Sequence, residues 1–455
     1  MIGVSTIDDG GATATMTEEL AARDGWSRER LYEFQSDGVR EVVAHAVARS
    51  PYYRGVLGDA ALAPDVRLQD LPPLSKATLM KQFDRVVTDA GLTLDAVEAH
   101  AGGGDPGALL LGDYHVFATS GTTGRRGVFP QSTGEFRRWV AAVLRTLGRL
   151  GITPGTRTVG IPAPTPLHIT QKLFAALGGF GGGRPALTAT TAMAELVRGL
   201  NLDRPEALIT LPSLAGALAA EQTAGRLAVD LRRVVVAGEA LSDDVRARVS
   251  EAWGAAPFEI YATTEALIVA AESPDRIGLH LTEDLVVVEV VDEHDRPVPD
   301  GQPGYKVLLT SLVNRALPLI RYELADSVTV APGEDPSRCP YRRLERVDGR
   351  SDDHLTLPGT AGEPVVVAPQ HLRAPFASLP AVLQYQIVQE PTRLVIRVVL
   401  RPDAATSVSD TVASGIRRAL QAAGAVVPPL IIEQVTEIER EPGGAKLKLV
   451  KARLR

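Results

Sequence analysis

Ala207–Tyr261 reads ALITLPSLAGALAAEQTAGRLAVDLRRVVVAGEALSDDVRARVSEAWGAAPFEIY. Three short apolar runs, Ala207–Leu211, Val234–Ala237 and Pro257–Tyr261, are rich in β-branched and aliphatic residues and too brief for helices. They read as buried strands. Between them, Pro212–Ala220 and Asp243–Trp253 carry helical patterns, the first opening on a proline and the second on two aspartates. Strand–helix–strand–helix–strand implies a mainly parallel, layered α/β body.

Upstream, Val159–Pro162 supplies another such strand. Arg28–Ser50 places Leu31, Phe34, Val39, Val42, Val43, Ala46 and Val47 at helical spacing and reads as an amphipathic helix. Past residue 280 the pattern turns to hairpin strands, Leu285–Asp292 and Tyr305–Thr310. The end of the chain differs again, with a hairpin of Leu383–Gln389 and Leu394–Leu400, a helix over Val408–Ala423 and a strand over Leu430–Ile438. The expected organisation is a flexible segment 1–27, a large multi-layer α/β domain 28–350 with mainly parallel sheets, and a small α+β domain 351–455. The boundary falls at Gly349–Asp353.

The chain has 455 residues, 45% hydrophobic and 23% charged, a globular composition long enough for two domains. A formal net charge of −7 argues against a nucleic-acid or anionic-membrane partner held by bulk charge. Cys339 is the only cysteine, so an internal disulfide and a multi-cysteine metal site are both excluded. The amino-terminal residues have no basic and apolar signal pattern, and no apolar run reaches the ~20 residues of a membrane span. A cytoplasmic location is the expectation.

Phe117–Gly127 reads FATSGTTGRRG. Ser120, Gly121, Thr122, Thr123 and Gly124 put three hydroxyls and two glycines into five residues, which suits a loop wrapped around a polyphosphate. Arg125 and Arg126 follow as cations. A polar surface turn fits the same five residues. Gly102–Gly107 has the spacing G-x-G-x-x-G but lies between no clear strand and helix, so it reads as a turn. No Walker-type phosphate loop is present.

Further motifs follow in order. They are Gly238-Glu239-Ala240-Leu241, Tyr261-Ala262-Thr263-Thr264-Glu265, Pro318–Asp326 with Arg321 and Tyr322, Gly349-Arg350-Ser351-Asp352-Asp353, and Gly443-Gly444-Ala445-Lys446. With the phosphate loop, this series resembles the adenylate-forming superfamily of acyl-CoA ligases, luciferases and adenylation domains. Ser50–Arg54, Leu71–Lys76 and Gly278–Asp284 make it similar to the phenylacetate–CoA ligase branch. The resemblance covers about residues 28–455.

The resemblance implies ATP-dependent activation of an aryl or other compact hydrophobic carboxylic acid as an acyl-adenylate. The acyl group would then pass to a thiol, that of coenzyme A or of a carrier-protein phosphopantetheine. It also implies a ferredoxin-like, mobile small domain. Ser120–Gly124 would hold the β- and γ-phosphates. Thr264 would touch the α-phosphate and Glu265 would ligate Mg²⁺. Gly238, Glu239, Ala240 and Tyr261, Ala262, Thr263 would sandwich adenine, and Asp326 and Arg350 would bind the ribose. Lys446, with Lys448 as its rival, would reach the α-phosphate, and Asp352 would be the hinge. His168 and Phe136 are the acyl-site candidates, against a structural histidine and a core aromatic. Glu265 also suits a helix first turn, Asp326 a turn and Arg350 an exposed cation. Two rival functions stay open: an adenylation enzyme loading an acyl carrier protein or an amine, and a non-catalytic nucleotide-binding homologue. The acid and the oligomeric state (a homodimer among the alternatives) are not readable.

Overall fold

The structure is a computed structural model. It describes residues 11–452, apart from 64–65, 103–106, 120–126, 165–166, 179–186, 334, 338, 351–352, 361, 368–371, 373, 377–378, 380, 402–403 and 439–447. The chain opens on helices α1 (Gly11–Ala22), α2 (Arg28–Arg49), α3 (Pro51–Leu57), α4 (Lys76–Lys81), α5 (Phe83–Val86) and α6 (Leu94–Gly102). Residues 11–22 therefore depart from the flexible lead-in expected of the sequence. Their helix buries Leu20, and just beyond it Asp24 binds Arg149.

A hairpin follows, β1 (Tyr114–Ala118) and β2 (Val128–Ser132), then α7 (Thr133–Arg149). Ser132 caps α7 and Glu135 returns the bond to the Ser132 N–H, a capping box that fixes where the strand ends and the helix starts. The body continues as β3 (Thr158–Gly160), α8 (Ile169–Ala176), α9 (Met193–Asp203), β4 (Ala207–Thr210), α10 (Pro212–Thr223), β5 (Arg233–Ala237), α11 (Asp243–Trp253) and β6 (Phe258–Thr263). Strands β3 to β6 pair parallel in sequence order. Their residues alternate between two cores: Val234 and Val236 join one cluster and Val235 the other, as period-2 strands sandwiched by helices must.

The same sheet is antiparallel beyond β6, through β7 (Leu267–Glu272) and β8 (Leu279–Leu281). Strands β9 (Val286–Val291), β10 (Lys306–Ser311) and β11 (Tyr322–Leu324) form a separate three-stranded sheet. Then β12 (Asp326–Val330) and β13 (Arg343–Arg350) return to the first sheet and complete its eight described strands. The α/β class holds, with the parallel pairing of the large sheet confined to β3–β6.

The last segment carries β14 (Leu355–Pro358), β15 (Pro364–Val367), β16 (Val382–Gln389), β17 (Leu394–Leu400), α12 (Val408–Ala422), β18 (Leu430–Gln434) and β19 (Val450–Lys451). Four of these strands form one sheet in the order β18-β17-β16-β19. A third hydrophobic cluster, from Leu355 to Val450, packs α12 on that sheet through Val412, Ile416 and Leu420. β18 stops at Gln434, short of the expected Ile438.

Candidate active site

Parallel strands leave a crevice beyond their carboxyl ends where ligands bind. The candidates after β5 and β6 lie along that edge, since Ala237 pairs with Ile260. Gly238 leaves β5 at φ 88°, a conformation that favours glycine. The Glu239 carboxylate accepts the Ser213 N–H at the start of α10, at 3.0 Å, and so ties this loop to a helix N-terminus.

β6 ends in a tight turn rather than a helix, so Glu265 is not a helix first-turn residue. The Ala266 N–H bonds to Thr263 Oγ1 at 3.1 Å, and β7 begins at Leu267 with φ 41°. Glu265 is buried, 7% exposed. Its backbone carbonyl accepts Asn314 Nδ2 at 3.0 Å, and Asn314 Oδ1 accepts the Trp139 indole N–H at 3.1 Å. A buried chain from α7 thereby holds the turn.

Asp326 opens β12 and stands opposite Arg350, the last residue of β13, in the antiparallel register. The Tyr261 hydroxyl donates to Asp326 Oδ2 at 2.9 Å. Burial, then Asp326, pushes the Tyr261 phenol far above its ordinary value, so it stays a donor. Burial is also the main reason that the Glu265 carboxyl is raised. Its own backbone bond opposes this, Asp326 adds to it, and Lys76 and Arg350 offset part of it. Tyr322, wholly buried, has its phenol pushed well above its ordinary value by burial and then by the nearby Glu265 carboxylate, and it meets Phe129 edge-on at 6.1 Å. Tyr261, Glu265, Asp326 and Arg350 are therefore brought together, and Lys76 and Tyr322 join them.

Lys76 and Tyr322 belong to the quoted motifs, yet no motif assigns either a role. The structure explains why their segments travel together. Tyr53 donates to the Pro318 carbonyl at 2.9 Å and accepts the Ile320 N–H at 3.3 Å. Leu74 donates to the Arg321 carbonyl and accepts from Glu323, both at 3.0 Å. Arg321, buried, binds Glu289 at 3.0 Å and the carbonyls of Gln69 and Leu71. Ser75 then caps α4, which sets Lys76 where its Nζ lies 3.2 Å from Thr119 Oγ1. Thr119 and Gly127 close the base of the proposed phosphate loop. The Thr119 N–H donates to the Gly127 carbonyl, and Thr119 Oγ1 accepts the Gly127 N–H, each at 2.9 Å. A side chain at Gly127 would meet Lys76 and Phe129 at 2.9 Å.

Ser120, Gly121, Thr122, Thr123, Gly124, Asp352 and Lys446 lie outside the described residues. Lys448, the rival lysine, pairs with Asp353 at 2.8 Å. His168 caps α8, its Nδ1 accepting the Thr170 N–H at 3.3 Å. Phe136 is fully buried against His115 and Phe117. Gly278–Asp284 is a structural hub: Glu283 binds Arg28 and Arg342, and Asp284 binds Arg145.

Residues 114–310 match the AMP-binding enzyme family. The chain is 29% identical over 381 residues to the phenylacetate–coenzyme A ligase of Thermus thermophilus, covering 79% of this chain and 78% of that one. The enzyme of the same name in Escherichia coli is 26% identical, covering 73% and 74%. Among solved structures, 2-hydroxyisobutyryl-CoA ligase in the postadenylation state with R3-HIB-AMP superposes with a TM-score of 0.72 at 21% identity, over 100% of this chain and 94% of that one. An anthranilate CoA ligase in complex with anthranoyl-AMP gives 0.54 at 20% identity, over 73% and 64%. The motifs in their order, the family match and these relatives agree: the chain is an adenylate-forming enzyme of the phenylacetate–CoA ligase-like branch.

Proposed function

We propose that this enzyme joins a compact hydrophobic or aryl carboxylic acid to coenzyme A, through an acyl-adenylate. The observation that carries the reading is the convergence of Tyr261, Glu265, Asp326, Arg350 and Lys76 beside the Thr119–Gly127 loop base, at the carboxyl edge of the parallel strands. In the first step the acid's carboxylate attacks the α-phosphorus of ATP and pyrophosphate leaves. Anion meets anion, so positioning and charge neutralisation carry the catalysis. Asp326 accepts from a ribose hydroxyl, oriented by the Tyr261 O–H, with Arg350 beside it. Gly238–Ala240 and Tyr261–Thr263 flank the adenine. Ser120–Gly124 take the β- and γ-phosphates and Thr264 the α-phosphate. Lys446 brings a positive charge to the reacting phosphorus, and Asp352 lets the small domain rotate before thioester formation.

Glu265 suits a Mg²⁺ ion. It is a buried carboxyl raised by burial and by Asp326, and a hard cation would stabilise its ionised form. When bound, the metal would neutralise charge on the phosphates. In the second step the thiol attacks the acyl carbon and AMP leaves.

Coenzyme A is favoured over a carrier protein because the relatives that match along most of this chain carry coenzyme A in their names. The test is product analysis after incubation with ATP, Mg²⁺, an aryl acid and coenzyme A. AMP and acyl-CoA should appear in equal amounts. AMP formed without acyl-CoA, with thioester appearing only on an added phosphopantetheinyl carrier protein, would assign the carrier-loading activity instead.

A further inference from the structure

We propose that the acid carries a hydroxyl group at the end away from its reacting carboxylate, and that Gln131, His115 and Lys172 bind it. The inference rests on the ligase reading and names the substrate class of the same site. In the β1–β2 register His115 stands directly opposite Gln131, so both side chains project from one face of the hairpin, and Phe117 shares that face two residues on. Phe136 of α7 packs on His115 at 4.5 Å and on Phe117 at 5.2 Å between ring centroids. Lys172 of α8 places its Nζ 5.9 Å from the Phe117 ring. It lies four residues past His168, one turn along the helix. Both acyl-site candidates of the sequence, His168 and Phe136, thus border this cluster.

The cluster is buried and polar. Gln131 is 0% exposed, His115 4% and Lys172 8%. Among the described residues, His115 Nε2 and both amide atoms of Gln131 find no hydrogen-bond partner. Each has given up its bonds to water without replacement, which native cores rarely tolerate, and a leucine would fill the Gln131 position with no such cost. Burial, then Lys172, drives the His115 imidazole down to about 4, so at neutral pH it is an uncharged hydrogen-bonding group. A hydroxyl both donates and accepts, which matches the unspent donor and acceptor of Gln131. The aromatic walls, Phe117 and Phe136, suit the apolar frame that carries it.

The test is acid-dependent ATP–pyrophosphate exchange with matched pairs: phenylacetate against 3- and 4-hydroxyphenylacetate, and benzoate against 3- and 4-hydroxybenzoate. The wild type should favour a hydroxylated member by at least about tenfold in kcat/KM, since a site built to bond a hydroxyl discriminates against its absence. Gln131→Leu keeps the bulk and should bring that ratio to within about twofold of unity. An unchanged ratio in folded Gln131→Leu overturns the proposal and assigns the polar atoms to internal water. If the variant does not fold, the wild type still decides: plain acids equal to or better than hydroxylated ones in every pair overturn the proposal while leaving the ligase reading intact. Exchange with no acid of either kind would instead refute the ligase reading.

Discussion

Glu265→Gln separates what the carboxylate does for catalysis from what it does to the fold. The substitution keeps the side-chain volume and leaves the backbone bond from Asn314 Nδ2 (3.0 Å) untouched. It removes a charge that is buried beside Asp326, with Lys76 and Arg350 offsetting only part of the cost. A carboxyl whose folded value is raised stabilises the fold fully below its unfolded value, 4.5, and loses that contribution as pH rises through the folded value. In ligand-free protein the variant should therefore have the higher Tm at neutral pH, and the wild type should lose stability from pH 4.5 upward more steeply than the variant. In catalysis the order reverses. Loss of a metal-binding carboxylate at the transition state should cost about 2–4 kcal/mol, or roughly 30- to 1000-fold in exchange rate. The assays are thermal melts across pH without nucleotide and ATP–pyrophosphate exchange across magnesium concentrations. A variant within a few-fold of wild type in exchange, or one that melts lower in the absence of ligand, would rule out this role for Glu265.

Three further outcomes are expected. Tyr261→Phe removes the 2.9 Å bond to Asp326 and should lower stability by about 1.5–3 kcal/mol, read by urea denaturation, with KM for ATP rising more than kcat falls. Lys446→Ala should slow adenylate formation about a hundredfold yet form thioester from synthetic acyl-adenylate at near the wild-type rate. Lys448→Ala, which breaks the pair with Asp353, should not show that selective defect. Arg145→Met takes away the 2.8 Å partner of the buried Asp284 carboxylate, leaving it only the longer 3.4 Å contact with Arg23, and should cost about 3–5 kcal/mol in denaturant titration. Adding Asp284→Leu should recover much of that loss, because the stranded charge is then gone.

Where local chemistry decides, the sequence was legible. Asp243–Trp253 and Leu394–Leu400 fall where the periodicity puts them, and Arg28–Arg49 ends one residue early, because Ser50 and Pro51 start a new helix. Gly11–Ala22 forms a helix where the sequence reads as a flexible lead-in: its small and polar residues give weak amphipathic signal, and its contacts, such as Arg145 to the Leu20 carbonyl, come from far along the chain. The site shows the same division. Tyr261, Glu265, Asp326 and Arg350 stand in recognisable motifs, but Lys76 needed the bridge of Leu74 to Arg321 and Glu323, a pairing across some 250 residues that no local pattern encodes. Gln131 and His115 stand in none of the quoted motifs, and only the strand register shows that their side chains share one buried face.

Acid-dependent ATP–pyrophosphate exchange decides whether this enzyme forms acyl-adenylates, because it reports that step whatever the final acceptor. Labelled pyrophosphate should enter ATP only when a carboxylic acid is present, with aryl acids above long-chain fatty acids. No exchange above the acid-free blank across a broad panel, in protein that still binds ATP, would show that the chain does not activate carboxylic acids.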